Sequence, residues 1–179
     1  MKKLLAVAVA SLMTFSAVAM ADGLEVGSTV GAFYVKDVTG PAAGTKLCYR
    51  CRYGDRPTVS IFTRSVDGNV ESLIEKIDGV VGKNQNKDMK AFVVLLTDEQ
   101  AAGEASLKST AEKTKVTNTP LTTFDGTTGP DRYKISKDAD ITVMMWVNGK
   151  LKVNEALKAS DLTAEKVASL VGETGKILN

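Results

Sequence analysis

Cys48 and Cys51 are the only cysteines in the 179-residue chain, and two residues separate them. C-x-x-C spacing permits a local disulfide or a reactive dithiol, and the thiolate is the species that attacks another disulfide. Arg50, Arg52 and Arg56 surround the pair. Positive charge favours thiolate, so these three are the candidate pKa-tuning residues. One reduced thiol is expected to titrate below the free-cysteine value of about 8.5. Tyr49 and Tyr53 flank the pair and are expected to shield it. The competing reading is a structural staple. So short a loop restricts few unfolded conformations, so its stabilisation is well under the ~3 kcal/mol of a 15-residue loop. Both readings stay open on the residues alone.

Other chemistries are narrowed by what the chain lacks. It contains no histidine, which removes Ser-His-Asp and Cys-His catalysis and histidine-ligated metal sites. Arg52 follows Cys51, where the covalent haem signature requires histidine. Two thiolates alone do not complete a tetrahedral zinc site. Thiolate and thioether ligands suit Cu(I), and Met144 and Met145 are adjacent. Neighbours on a strand face opposite sides, so core packing accounts for them better. No metal and no cofactor are expected.

The first residues read as a targeting segment. Lys2 and Lys3 precede an apolar run from Leu4 to about Phe15, and Ala19-Met20-Ala21 offers a small-x-small cleavage site. The expected organisation is a signal peptide over residues 1–21 and one domain over 22–179. The protein is then exported, either periplasmic or secreted, with no membrane association after cleavage. Removing Lys2 and Lys3 leaves 21 basic and 21 acidic residues. A net charge of zero argues against a nucleic-acid partner. An oxidising compartment favours a disulfide between the two cysteines.

The elements that must position the pair are legible in outline. Residues 32–37 read as a short strand, and Lys46-Leu47 start a second extended piece that runs into the cysteines. Thr58 to Thr63 is β-branched and aromatic, as a buried strand should be. Val70, Leu73, Ile74, Ile77 and Val81 recur at helical spacing. Residues 91–96 form an unbroken apolar run, the pattern of a central strand covered on both faces. A helix over 99–115 is expected, capped by Thr97 or Asp98, with Ala101, Ala105, Leu107 and Ala111 as its buried stripe. A short strand over 119–124, a local turn at 129–133 and a strand over 141–147 follow. Asn148-Gly149 is a hairpin turn signal, leading to a return strand at 151–153. Thr163 caps a last helix whose inner face is Val167, Leu170 and Val171. The order predicts an α/β fold, a mixed sheet with helices on both faces.

This order resembles the thioredoxin fold, in the branch holding peroxiredoxins and exported cytochrome-maturation thioredoxins. Residues 31–40 look like that branch's opening strand and turn, 56–64 like its first core strand, and 146–151 like its closing hairpin. The resemblance implies a thioredoxin-like mixed β-sheet flanked by helices, with an N-terminal β-hairpin extension. It also implies a thiol-disulfide oxidoreductase whose partner is a protein thiol or disulfide. By analogy, Cys48, the first cysteine, is the attacker. Two departures accompany it. The family's C-x-x-C slot after the first core strand is Thr63-Arg64-Ser65-Val66-Asp67-Gly68, without cysteine, so typical peroxiredoxin turnover is not expected. The stretch before the hairpin strand, 138–142, lacks the family's usual proline. Arg64 and Asp67 fall where that site stands, and Asp67 reads more simply as a helix cap. The C-x-x-C is displaced to the other end of the core strand. The alternative function is a non-catalytic binding or scaffold module stapled by Cys48–Cys51.

Overall fold

The computed structural model describes residues 23–179; the expected signal peptide and its cleavage point lie outside them. Seven strands form one sheet: β1 Val35–Asp37, β2 Lys46–Leu47, β3 Thr58–Thr63, β4 Lys90–Thr97, β5 Leu121–Asp125, β6 Ile141–Val147 and β7 Lys150–Leu157. Their spatial order is β2-β1-β5-β4-β3-β6-β7. β4 is therefore the middle strand, as its unbroken apolar run requires. β4 is parallel to β3 and β5, whereas β6 is antiparallel to β3. The N-terminal extension is the antiparallel β1–β2 pair, with Val35 opposite Leu47. The mixed sheet and its flanking helices give a thioredoxin-like α/β fold.

Alternation along each strand sends side chains to two separate cores. Val59, Ile61, Val93, Leu95, Val143 and Met145 face one side; Phe62, Phe92, Val94, Leu96, Met144 and Trp146 face the other. Met144 and Met145 thus pack in opposite layers. The first layer is covered by α2 Gly68–Lys83, α3 Gln100–Thr114, α4 Ala164–Glu173 and α5 Gly175–Leu178. The long helices share this face, rather than dividing between two as the element order alone suggests. The crossovers β3-α2-β4 and β4-α3-β5 step the same way across the sheet, so one hand of crossover puts both helices on one side. The second face is covered by the N-terminal segment, a short helix α1 Tyr49–Tyr53 and a single turn at Asp131–Tyr133.

Helix ends follow local chemistry. The Asp67 carboxylate accepts the Asn69 and Val70 amides and starts α2, and Thr163 accepts the Lys166 amide and starts α4. Glu99 holds the N-cap position of α3 without a side-chain cap; Thr97 instead accepts the Glu99 amide. The buried stripe of α3 is Gly103, Leu107 and Thr110, while Ala101 and Ala105 are exposed. The reason is close approach. A Cβ on Gly103 would lie 2.9 Å from a Thr97 methyl and 3.2 Å from a Leu95 methyl. At the hairpin, Asn148 and Gly149 both have positive φ, as the turn demands.

Candidate functional site

The cysteines sit on α1, an element too short to read from periodicity. Tyr49 and Tyr53, one helical turn apart, point into the second core. There Tyr49 stacks on Phe92 with ring centroids 5.3 Å apart. The tyrosines lie beneath the helix as its anchors rather than over the cysteines as a shield. Cys48 is the N-cap, and its Sγ accepts the Cys51 amide at 3.0 Å. The Arg52 amide donates to the Cys48 carbonyl at 2.9 Å, closing the first turn. Gly54, with φ of 61°, ends the helix.

Cys48 and Cys51 are joined as a disulfide, with Cα atoms 5.2 Å apart. The two ends differ in access. Cys48 is 7 % exposed, whereas Cys51 is exposed. Cys51 is thus the more accessible residue of the pair.

The three arginines have different surroundings. Arg50 donates from Nε to the Val30 carbonyl and from Nη1 to the Gly54 carbonyl. A Cβ on Gly149 would lie 2.6 Å from its Nη2. Arg50 thus clamps the C-terminal end of α1 to the N-terminal segment and the β6–β7 hairpin. Arg56 donates from Nη1 to the Arg52 and Tyr53 carbonyls, also at the C-terminal end. A cation is favoured there by the helix dipole. Arg52 is exposed and directly follows Cys51, and no side-chain hydrogen bond or ion pair among the described residues engages its guanidinium.

Asp37 is a further positioning residue that sequence reading left as a strand end. It is fully buried. Its carboxylate accepts the Gly40 and Ala42 amides, each at 2.8 Å, and the Tyr49 hydroxyl at 2.9 Å. Three donors compensate the buried charge. They tie the 38–45 loop to the residue beside Cys48. A Cβ on Gly40 would lie 2.7 Å from both Asp37 oxygens, so the loop closes only around glycine. The readable signal was an Asp followed by Gly40-Pro41, a turn in which the side chain bonds its own backbone. Burial, then the bond to Asp37, hold the Tyr49 phenol well above its ordinary range. Burial does the same for Tyr53 and Tyr133.

The opposite end of β3 is closed. The Arg64 guanidinium donates to the Ala139 carbonyl, and to the Ser136 carbonyl at 3.2 Å. Asp67 is spent on its cap. The Asp140 carboxylate accepts the Ala159 amide at 2.8 Å. The slot after the first core strand is thus filled by structural contacts, and the disulfide lies at the other end of the strand.

No protein-family model matches the chain, and no curated protein matches it. Solved structures do. One is a provisionally named protein disulfide isomerase from Bacteroides thetaiotaomicron, 18% identical over 89% of this chain and 94% of that one, with a TM-score of 0.67. Another is the thioredoxin domain of a thiol-disulfide oxidoreductase from Bacteroides vulgatus, 16% identical over 83% and 99%, TM-score 0.58. A third is a peroxidoxin from Mycobacterium tuberculosis, 14% identical over 83% and 97%, TM-score 0.60. At these identities the likeness establishes the thioredoxin-like fold.

Proposed function

We propose that the protein is an exported thiol-disulfide oxidoreductase that works through Cys48–Cys51 and is entered at Cys51. The observation that carries this reading is the unequal access of the two sulfur-bearing residues in one disulfide. A partner thiolate attacks the Cys51 Sγ. The Cys48–Cys51 bond breaks, Cys48 leaves as a thiolate, and Cys51 holds the mixed disulfide. The Cys51 amide, which already donates to the Cys48 Sγ, meets the charge that forms there. A second partner thiolate then attacks the partner sulfur of the mixed disulfide and releases Cys51 as a thiolate. Two electrons pass from the partner dithiol to the pair, and the reverse sequence oxidises the pair. Analogy with the first cysteine of such motifs names Cys48 as the attacker; access favours the other order. Export rests on the targeting pattern of residues 1–21. Among the described residues, no helix is long and apolar enough to cross a membrane.

Single-cysteine variants test the order. With glutathione disulfide as oxidant, Cys48→Ser, which keeps Cys51, should form the mixed disulfide at least about tenfold faster than Cys51→Ser, because access governs exchange rates. Faster reaction at Cys48 would reverse the order. Slow reaction at both would leave the disulfide as a staple on a non-catalytic binding or scaffold module.

A further inference from the structure

A cleft of about 690 Å³ opens beside α1, at the end of the sheet where β3 and β4 begin and the chain enters β5. That volume is within the range of small-ligand sites. Its lining includes Arg52, Arg56 and Lys90 and, among the described residues, no carboxylate. None of these cations takes part in the ion pairs among the described residues, which are Lys36–Glu104, Lys113–Glu71, Lys166–Glu155 and Lys176–Glu173. The described part of the chain is close to neutral, so three unneutralised cations around one concavity are a local excess. Asp78, behind the wall, is occupied by the Asn118 amide at 2.7 Å and the Asn118 side chain at 3.1 Å.

A second observation is position. Arg52, in the cleft lining, directly follows the exposed Cys51 in the chain. A chain lying in the cleft therefore runs close to the exposed end of the disulfide.

We propose that this cleft binds an acidic peptide segment, the stretch flanking the reactive cysteine of a protein substrate. The proposal rests on the exchange reading given above and supplies its substrate class. Arg52 and Arg56 present planar guanidinium groups that match carboxylates, and Lys90, at the start of β4, adds a point charge. Like-charge contact disfavours basic segments.

The test uses the oxidised full-length mature protein and two fluorescein-labelled peptides. Each carries serine in place of its central cysteine; one is flanked by Asp and Glu, the other by Lys. Binding is read by anisotropy, so no exchange step is needed. The acidic peptide should bind at least about tenfold more tightly than the basic one, with a preference that shrinks at high salt. The Arg52→Gln/Arg56→Gln double variant should lose the preference, whereas Lys152→Gln, an exposed change outside the cleft lining, should keep it. Equal binding of the two peptides, or a preference that survives the double variant, would overturn the proposal. So would displacement of the acidic peptide by an equimolar amount of inorganic phosphate, which would mark a small-anion site. An acidic preference in a protein with two unreactive thiols would preserve the cleft and remove the exchange reading. Rapid exchange at Cys51 without the preference would do the opposite.

Discussion

At the scale of single residues, charge around the disulfide divides into holding and facing. Arg50 spends its guanidinium on two backbone carbonyls, and Arg52, next to Cys51, stands exposed. From sequence the two were equivalent, because neighbours of a C-x-x-C carry no mark of which carbonyls they will meet. Arg50→Ala should therefore destabilise the fold by about 1–3 kcal/mol, from carbonyls left without their charged donor. Arg52→Ala should stay within about 0.5 kcal/mol, the range of ordinary surface changes. Urea denaturation of the two variants separates them, and equal losses would undo the division. Asp37 belongs to the same scale. The Asp-to-Gly40-Pro41 spacing was visible, but its bond to Tyr49, twelve residues on, is tertiary.

At the scale of elements, strong patterns were readable and short or glycine-based ones were not. β4 is the clearest case, since an unbroken apolar run has one natural place in a helix-covered sheet. Val94 is fully buried in its middle, facing the aromatic layer. Val94→Ala should cost about 1–3 kcal/mol from lost burial and a residual cavity, measured as a shift in denaturation midpoint. A loss below about 0.5 kcal/mol would be inconsistent with a central strand. α1 escaped notice because five residues hold barely more than one turn. Its only traces were the Tyr49–Tyr53 spacing and the glycine after it. On the inner face of α3, Leu107 and Ala111 pack as expected while Ala101 and Ala105 do not, because Gly103 marks contact by being small and an apolar count passes over it. The cleft gave no signal, being assembled from α1, the β4 entry and the loop before β5.

At the scale of the molecule, a mixed sheet followed from early strands, a crossover and a late hairpin, and the resemblance of three segments named the fold. Neither indicated that the long helices would share one face, leaving the other to aromatic side chains. That layer has a consequence at high pH. Tyr49, Tyr53 and Tyr133 are held above their ordinary value, chiefly by burial. Above about pH 10 the unfolded chain releases these protons while the folded chain keeps them, so stability is full below that value and falls as pH rises. The urea midpoint should drop between about pH 9 and pH 11, and less steeply in Tyr53→Phe; a midpoint indifferent to that substitution would contradict the burial account. The proposed exchange at Cys48–Cys51 is tested most directly by the reduction potential of the purified mature protein, equilibrated with glutathione buffers. A pair built for exchange should lie between about −120 and −270 mV, the range of dedicated oxidoreductases. A value below about −300 mV, where structural disulfides lie, would show the bond to be a staple.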